Sequence, residues 1–433
     1  MPFDHSVVRL PARVWLAAGA AATVGLSSWV WVTHGPAPAA EVVRAAPAQS
    51  AAPSVPAAPP GSAPLFTFVS MPDFINTDIG NTRVRAGKGW DPGDPTSINK
   101  SWREALDVIL DEVQAEKPAA VLVAGDLVDG HWGIDVAPAT GIFGPVGTRN
   151  EQLAAVTNAG ELYYGQWADR FQKRGLRTLP AMGDHEIGDN PWPAGSFELA
   201  AVPTFKKAWA SEFTRTETGG HRYPIRPVGT AFEDTAYAVR IANTLFVTVD
   251  VFSPTSRGVD ITVSGGQLKW LDRVLGRARR QGVEHIIVQG HTPVLGPVRS
   301  RHSSKIMMDE GPDSAFWHLL DRYDVDLYLA GEMHDMTTLT QDGIVQVVHG
   351  ALATWGQANY LLGAVYPDRI VLTLKEFQGA RTVTGHLWNT DRLGPAKGIA
   401  FRRHPATVGT MVIDKSGAKT VLRQRSGRLR DGM

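Results

Sequence analysis

Five short polar clusters, each directly after an apolar run, constrain the fold of this 433-residue chain more than any other feature. The runs are rich in Val, Ile and Leu, a composition typical of strands that are buried on both faces. Ligands of an open α/β sheet bind beyond the carboxyl ends of its strands. The pattern therefore predicts an α/β fold in which Asp, Glu and His side chains meet at one edge, as metal ligands do. The clusters are residues 72–76, 125–129, 183–186, 290–291 and 331–334.

Segments with helical periodicity separate the clusters. Apolar residues recur in them at intervals of three and four, and Gly175 and Gly282 stand where a helix is expected to end. Four of the five clusters therefore follow a helix–strand unit, the pattern of a layered α/β domain. The predicted helices span roughly residues 101–116, 151–174, 267–281 and 313–323.

Two turn signals interrupt this alternation. Ala242-Asn243 and Asp342-Gly343 each lie between two β-rich runs, which predicts antiparallel hairpins. The segment 187–232 is rich in Pro, Gly and aromatic residues and has no clear period. It is long for a connection, and long connections tend to be functional, so we expect a specificity-determining loop there.

The N-terminal segment points to export. Arg9 and Arg13 precede residues 14–32, an uncharged apolar stretch long enough to cross a bilayer as a helix. Basic residues on its N-terminal side predict that the remainder of the chain lies outside the cytoplasm. The alternative is a cleaved signal sequence, with residues 37–39 (Ala-Pro-Ala) as the cleavage site. We expect either a membrane-anchored protein or a secreted or periplasmic one.

The rest of the chain divides by composition. Residues 34–64 are dominated by Ala and Pro, which predicts a disordered linker. Near the C-terminus a hairpin is predicted around residues 415–417, followed by a solvated basic tail over residues 423–430. The predicted domains are therefore an anchor or signal over 1–33, a linker over 34–64, a catalytic domain over 65–395 and a β-rich extension over 396–433.

Composition excludes several kinds of site. The chain contains no cysteine, which rules out disulfides, thiolate catalysis and zinc bound by cysteine. Its 43 basic and 43 acidic residues balance, so no global charge points to nucleic acid as a partner.

The order of the clusters resembles that of the calcineurin-like metallophosphoesterase family. That family carries Asp-x-His, Gly-Asp-x-x-Asp, Gly-Asn-His-Asp/Glu, Gly-His and Gly-His-x-His in this order, and the likeness extends over roughly residues 65–353. The resemblance implies a sandwich of two β-sheets flanked by helices, with two metal ions at the strand ends. It also implies a phosphoesterase that hydrolyses a phosphate ester by attack of a metal-bridging hydroxide.

The resemblance further implies a set of site residues. Asp126 would bridge two divalent cations, His185 would contact the phosphate or protonate the leaving group, and Glu186 would orient His185 or support the ligands from outside. The remaining implied ligands are Asp73 and His334 for the first ion and Asp184, His291 and Glu332 for the second.

Three positions depart from the family pattern. Ile75 stands where the first motif has His, so the first ion either lacks one ligand or takes it from Asn76 or Asp78. Asp184 replaces an Asn and Glu332 replaces a His. These exchanges enrich the site in anionic oxygen, which favours manganese over zinc, with iron and magnesium as further candidates.

The same departures leave other functions open. Loss of the first-motif His favours a non-catalytic binding protein on this fold, or a one-metal hydrolase acting on another ester. The leading expectation is a membrane-tethered metallophosphoesterase whose partner is a phosphate-ester substrate. The sequence predicts neither the identity of that substrate nor an oligomeric state.

Overall fold

The computed structural model describes residues 63–74, 100–128, 130, 132, 143–300, 303–350, 358–377, 404–415 and 421–430. The predicted anchor over residues 1–33 lies outside this part, as does all of the predicted linker except its last two residues. Ile75, Asn76 and Asp78 lie outside it too. Among the helices of the described ranges, none combines the length and the apolar character that crossing a bilayer requires.

Two β-sheets form the centre of the fold. In chain order the strands are β1 Phe66–Ser70, β2 Ala120–Val123, β3 Thr178–Pro180, β4 Tyr237–Ile241, β5 Thr244–Thr248, β6 Phe252–Pro254, β7 Val259–Ile261, β8 His285–Gln289, β9 Leu327–Ala330, β10 Thr337–Gln341, β11 Ile344–Val348, β12 Asn359–Val365, β13 Arg369–Glu376, β14 Ala406–Asp414 and β15 Val421–Gly427. One sheet has the order β15-β14-β13-β12-β1-β2-β3 and the other β10-β11-β9-β8-β5-β4, while β6 and β7 form a separate hairpin.

Parallel pairing places the carboxyl ends of the central strands together. Strands β1, β2 and β3 run parallel in the first sheet, and β5, β8, β9 and β11 run parallel in the second. The sheets pack on each other through aromatic rings, with Phe246 contacting Phe66 and Phe68 edge to face. Gln289 Nε2 also donates to the carbonyl of Leu179, at 2.6 Å, and ties β8 to β3. The predicted two-sheet architecture is confirmed.

In the described part of the chain, five α-helices accompany the sheets: α1 Lys100–Ala115, α2 Arg149–Lys173, α3 Phe197–Phe213, α4 Gly265–Arg280 and α5 Ala315–Arg322. Four of them match the predicted helices to within about two residues at each end, and both predicted hairpins, β4–β5 and β10–β11, are present.

Helix α3 lies within the segment predicted to be a loop. Its N-terminus is capped by the Ser196 hydroxyl, which accepts from Leu199 N at 3.1 Å. It packs so closely on α2 that a Cβ on Gly160 would lie 2.6 Å from that of Ala208. A proline inside the helix, Pro203, and apolar residues on several faces hid its period in the sequence.

The C-terminal strands extend the seven-stranded sheet. The antiparallel pairing of β14 with β15 confirms the predicted hairpin, but the stretch predicted as a solvated basic tail is largely edge strand. Arg423 Nε lies 2.6 Å from Asp414 Oδ2, and Arg428 Nη1 lies 2.7 Å from Glu376 Oε2. The arginines therefore neutralise carboxylates on neighbouring strands, which a count of basic residues alone did not predict.

Candidate metal centre

Six predicted ligands come together at the ends of β1, β2, β3, β8 and β9. Among the described residues, donor atoms converge in two buried groups that share Asp126, and the ligand atoms of each group lie within 4.8 Å of one another. Glu332 lies beside the second group, with Oε2 3.4 Å from His291 Nε2. Asn76, the remaining predicted ligand, lies outside the described residues. The first group is Asp73, Asp126 and His334, and the second is Asp126, Asp184 and His291.

Left-handed backbone conformations aim several of these side chains. Asp73, Asp126, Glu332 and His334 have φ values of 61°, 61°, 68° and 54°. For a residue with a Cβ this region costs about 1–2 kcal/mol. The chain adopts it where each strand ends, so that the next side chain turns into the shared edge. Such local strain is typical of functional sites.

Glycines leave the room that the carboxylates occupy. A Cβ on Gly183 would lie 2.1 Å from Asp126 Oδ1, and one on Gly331 would lie 2.7 Å from Asp73 Oδ1. Both distances are shorter than any real Cβ contact, so a side chain at either position would displace a carboxylate. The glycine that opens two of the clusters is therefore required by close packing.

His291 lies at the centre of the second group. Its Nδ1 lies 2.6 Å from the carbonyl oxygen of Ala124 and donates to it, which turns Nε2 toward the carboxylates. Nε2 lies 3.1 Å from Asp184 Oδ1 and 3.4 Å from both Asp126 Oδ2 and Glu332 Oε2. Three carboxylate oxygens thus face one ring nitrogen, which can carry only one proton. Neutralising these carboxylates requires more positive charge than one imidazole supplies.

The pKa values express the same excess of negative charge. Burial, in the first place, and the charge of Asp126 raise the pKa of Asp73 well above its ordinary value. Burial and the charge of Asp184 raise the pKa of Glu332 to about 7. Burial alone would lower the pKa of His291, but Asp126 and the other facing carboxylates raise it well above its ordinary value. Protons therefore compete with any cation for these side chains.

Asp184 shows the opposite shift. Burial acts to raise the pKa of its carboxyl, but a hydrogen bond from His291 and the charges of His185 and His291 outweigh burial and lower it. Its Oδ2 also accepts from Asn190 Nδ2 at 2.9 Å. Asp184 is therefore the carboxylate of this cluster that is held ionised by its neighbours.

The donor set fits divalent cations. Asp73, Asp126, Asp184 and Glu332 are all at least 98% buried, and Asp73 Oδ2 has no hydrogen-bond partner among the described residues. Buried ionised carboxylates are unfavourable unless cations or donors compensate them. Carboxylate oxygens with two imidazole rings form a set that binds manganese, iron, magnesium or zinc. The charge of four carboxylates equals that of two divalent cations.

Glu186 supports the backbone of the site. Its Oε2 accepts from Asp126 N and Gly183 N, both at 2.7 Å, and its Oε1 accepts from Leu127 N at 2.8 Å. Burial and the charge of Asp126 raise the pKa of Glu186 to about 7. These contacts join the loops after β2 and β3.

His185 lies at the wall of a pocket of ≈ 250 Å³ above the ligands. Its backbone N–H donates to Asp126 Oδ1 at 3.3 Å, and its Nε2 lies 3.9 Å from Asp189 Oδ1. Asp189, Asn190, Ser303 and Ser304 also line the pocket, and none of them is among the predicted site residues. These four residues lie in irregular loops, where no periodic signal marks a functional side chain.

Comparisons with known proteins agree with this geometry. The sequence profile of the family described as calcineurin-like phosphoesterase matches residues 77–336, whereas no curated protein matches the chain. Of the solved structures, PhoD is 13% identical with a TM-score of 0.50, and the match covers 87% of this chain and 74% of that one. At this identity the likeness shows the fold alone.

Two further structures are more distant. The purple acid phosphatase PPD1 from yellow lupin (Lupinus luteus) seeds is 14% identical with a TM-score of 0.44, over 73% of this chain and 52% of that one. GAP50, the anchor in the inner membrane complex of Plasmodium, is 11% identical with a TM-score of 0.39, over 78% and 89%. The profile match spans more than half of the chain and includes the loops that carry most of the clustered ligands. The chain belongs to the calcineurin-like phosphoesterase family.

Proposed function

We propose that this protein is a metal-dependent phosphoesterase that hydrolyses a phosphate ester with two divalent cations bound. The observation that carries the proposal is the pair of buried ligand groups that share Asp126. A shared carboxylate between two groups is the arrangement that a two-cation site requires. Family membership supports hydrolysis as the reaction class.

In this proposal each of the two ligand groups holds one cation. Asp73 and His334 hold the first cation, His291, Asp184 and Glu332 hold the second, and Asp126 contacts both. When bound, two divalent cations neutralise the phosphoryl oxygens and supply a nucleophile at neutral pH. The protein fixes their positions through buried side chains that are already aimed by backbone conformation.

His185 contacts the phosphate or protonates the leaving group. Its side chain is 16% exposed at the pocket, whereas the ligands beneath it are buried. Asp189 Oδ1 is the carboxylate oxygen near this ring, 3.9 Å from Nε2. The backbone N–H of His185 donates to Asp126 Oδ1 at 3.3 Å, which places the residue beside the shared ligand.

Manganese is the favoured metal. Anionic oxygens supply four of the six described ligands, and oxygen-dominated sites suit manganese or magnesium better than zinc. With Ile75 in the place of a family histidine, we expect the first cation to be held more weakly and to be lost on dialysis.

A binding protein or a one-metal hydrolase is the second candidate. The observation that favours it is the first group, in which the described residues offer only three ligands, one of them shared. A chain that holds a single cation would bind or cleave a different ester. Metal content measured beside hydrolysis of a generic phosphomonoester and a phosphodiester separates these candidates.

Two substitutions test the leading proposal. Asp126→Asn should abolish metal loading and hydrolysis together, because both groups depend on that carboxylate. His185→Ala should keep its metal content while turnover falls by about 10²–10⁴. Loss of metal in His185→Ala, or full activity in Asp126→Asn, would show that these roles are assigned wrongly.

We also propose that the catalytic domain is exported and tethered by residues 14–32. The support is the apolar stretch behind Arg9 and Arg13. The full-length protein should then stay with membranes after a carbonate wash. A soluble exported form whose N-terminus begins near Ala40 would point to a cleaved signal sequence.

A further inference from the structure

The loop over residues 303–306 contacts a ligand position that departs from the family pattern. Glu332 occupies the place of a histidine, and its Oε1 accepts from Ser304 Oγ at 2.6 Å and from Ile306 N at 3.1 Å. Both donors act on the same carboxylate oxygen. The other oxygen, Oε2, is left facing His291 Nε2 at 3.4 Å.

A glutamate needs such support more than a histidine does. Its side chain has three torsions to fix rather than two, and fixing rotamers costs conformational entropy. The backbone at Glu332 is held, since its N–H donates to Asp73 Oδ1 at 3.1 Å, but this bond does not fix the carboxylate. The two donors of the 303–306 loop fix the carboxylate, because they hold Oε1 and thereby keep Oε2 pointing toward His291 Nε2.

We infer that Ser304 is a positioning residue that holds Glu332 as a ligand of the second cation. The inference rests on the proposed function, which supplies the second cation, but it concerns the affinity for that metal and not the rate of hydrolysis. Ser304 lines the pocket without belonging to either ligand group. A hydrogen bond from its hydroxyl to a carboxylate is of the charge-assisted kind, which is stronger than a neutral bond.

Binding of Mn²⁺ to the metal-free full-length chain, measured by calorimetry, tests this role. Glu332→Gln first identifies the binding step that depends on the second site. Ser304→Ala should weaken that same step about fivefold to tenfold, a modest loss because water can replace an exposed hydroxyl. Ser304→Thr, which keeps the hydroxyl, should stay within about twofold of the parent.

Two controls separate positioning from a general effect of the loop. Ser303→Ala, at the neighbouring pocket serine, should leave Mn²⁺ affinity unchanged. In the Glu332→His background, Ser304→Ala should change affinity by less than about twofold, because the carboxylate that it holds is gone. Equal losses in Ser303→Ala and Ser304→Ala, equal losses in both backgrounds, or no loss in Ser304→Ala would each overturn the inference.

Hydrolysis assays on the same proteins keep this inference distinct from the proposed function. A parent protein that binds Mn²⁺ with the predicted Ser304 dependence but cleaves neither a phosphomonoester nor a phosphodiester would refute the function and leave the positioning role standing. A parent protein that hydrolyses both esters, while Ser304→Ala leaves Mn²⁺ binding unchanged, would support the function and refute the positioning role.

Discussion

Glu186 offers a quantitative test of how the loops around the site are held. Its carboxylate accepts three backbone N–H groups at 2.7, 2.7 and 2.8 Å. In Glu186→Ala all three buried donors lose their acceptor, at about 1–3 kcal/mol each. In Glu186→Gln the amide oxygen can keep the two bonds of Oε2, while its NH₂ group faces Leu127 N–H.

Comparison of these two variants isolates the hydrogen bonds. Both are neutral, so the ionisation cost cancels between them. We expect Glu186→Ala to be less stable than Glu186→Gln by about 2–6 kcal/mol, the cost of two further unpaired N–H groups. Relative to the parent, Glu186→Gln should change stability by only about 1 kcal/mol. The lost bond is offset because burial raises the pKa of Glu186 from 4.5 to about 7, and a neutral side chain avoids that cost.

Urea unfolding of the metal-free proteins at pH 8 measures the difference. Circular dichroism and fluorescence should give coincident transitions before the free energies are compared. Equal stability of the Ala and Gln variants would refute the claim that this carboxylate holds the loops. A Glu186→Gln protein that keeps its fold and its metal but loses turnover would instead place Glu186 in the chemistry.

Three further predictions follow from the same geometry. Gly331→Ala should weaken metal binding at least about tenfold in a calorimetric titration, because the new Cβ would lie 2.7 Å from Asp73 Oδ1 and displace that ligand. Unchanged binding would contradict the close packing. Burial and Asp184 raise the pKa of Glu332 to about 7, and the facing carboxylates raise the pKa of His291 well above its ordinary value, so a cation must displace protons from both side chains. Apparent Mn²⁺ affinity should therefore rise with pH from about 5 to about 8, and affinity independent of pH over this range would contradict this. Glu332→His should move the metal preference, measured as turnover with each ion, from manganese toward zinc or iron; an unchanged order would argue against Glu332 as a ligand.

The sequence predicted the features of this site that depend on strand ends. Asp126, Asp184 and His291 follow short apolar runs. Parallel pairing brings the ends of β2 and β3 to one edge of the first sheet and the ends of β8 and β9 to one edge of the second, and packing of the two sheets brings these edges together. Helices α1, α4 and α5 have a clear apolar period, since one face of each packs against the core.

Other features had no such local signal. Helix α3 is apolar on several faces and contains Pro203, so its sequence shows no regular spacing of apolar residues. The contacts of Glu186 are made with backbone N–H groups, whose positions depend on the folded loops. Ser304 acts across 28 residues of sequence on Glu332, a separation that no motif records. These details follow from tertiary packing rather than from residue pattern.

Metal-free protein titrated with Mn²⁺ gives the most direct test of the central claim, that two ligand groups sharing Asp126 form a hydrolytic centre. Bound metal and hydrolysis of a generic phosphate ester should be followed in the same titration. We expect two cations per chain, activity that is absent in chelator and returns with the metal, and loss of both metal and activity in Asp126→Asn. Full hydrolysis in the presence of chelator, or two cations still bound by Asp126→Asn, would contradict it.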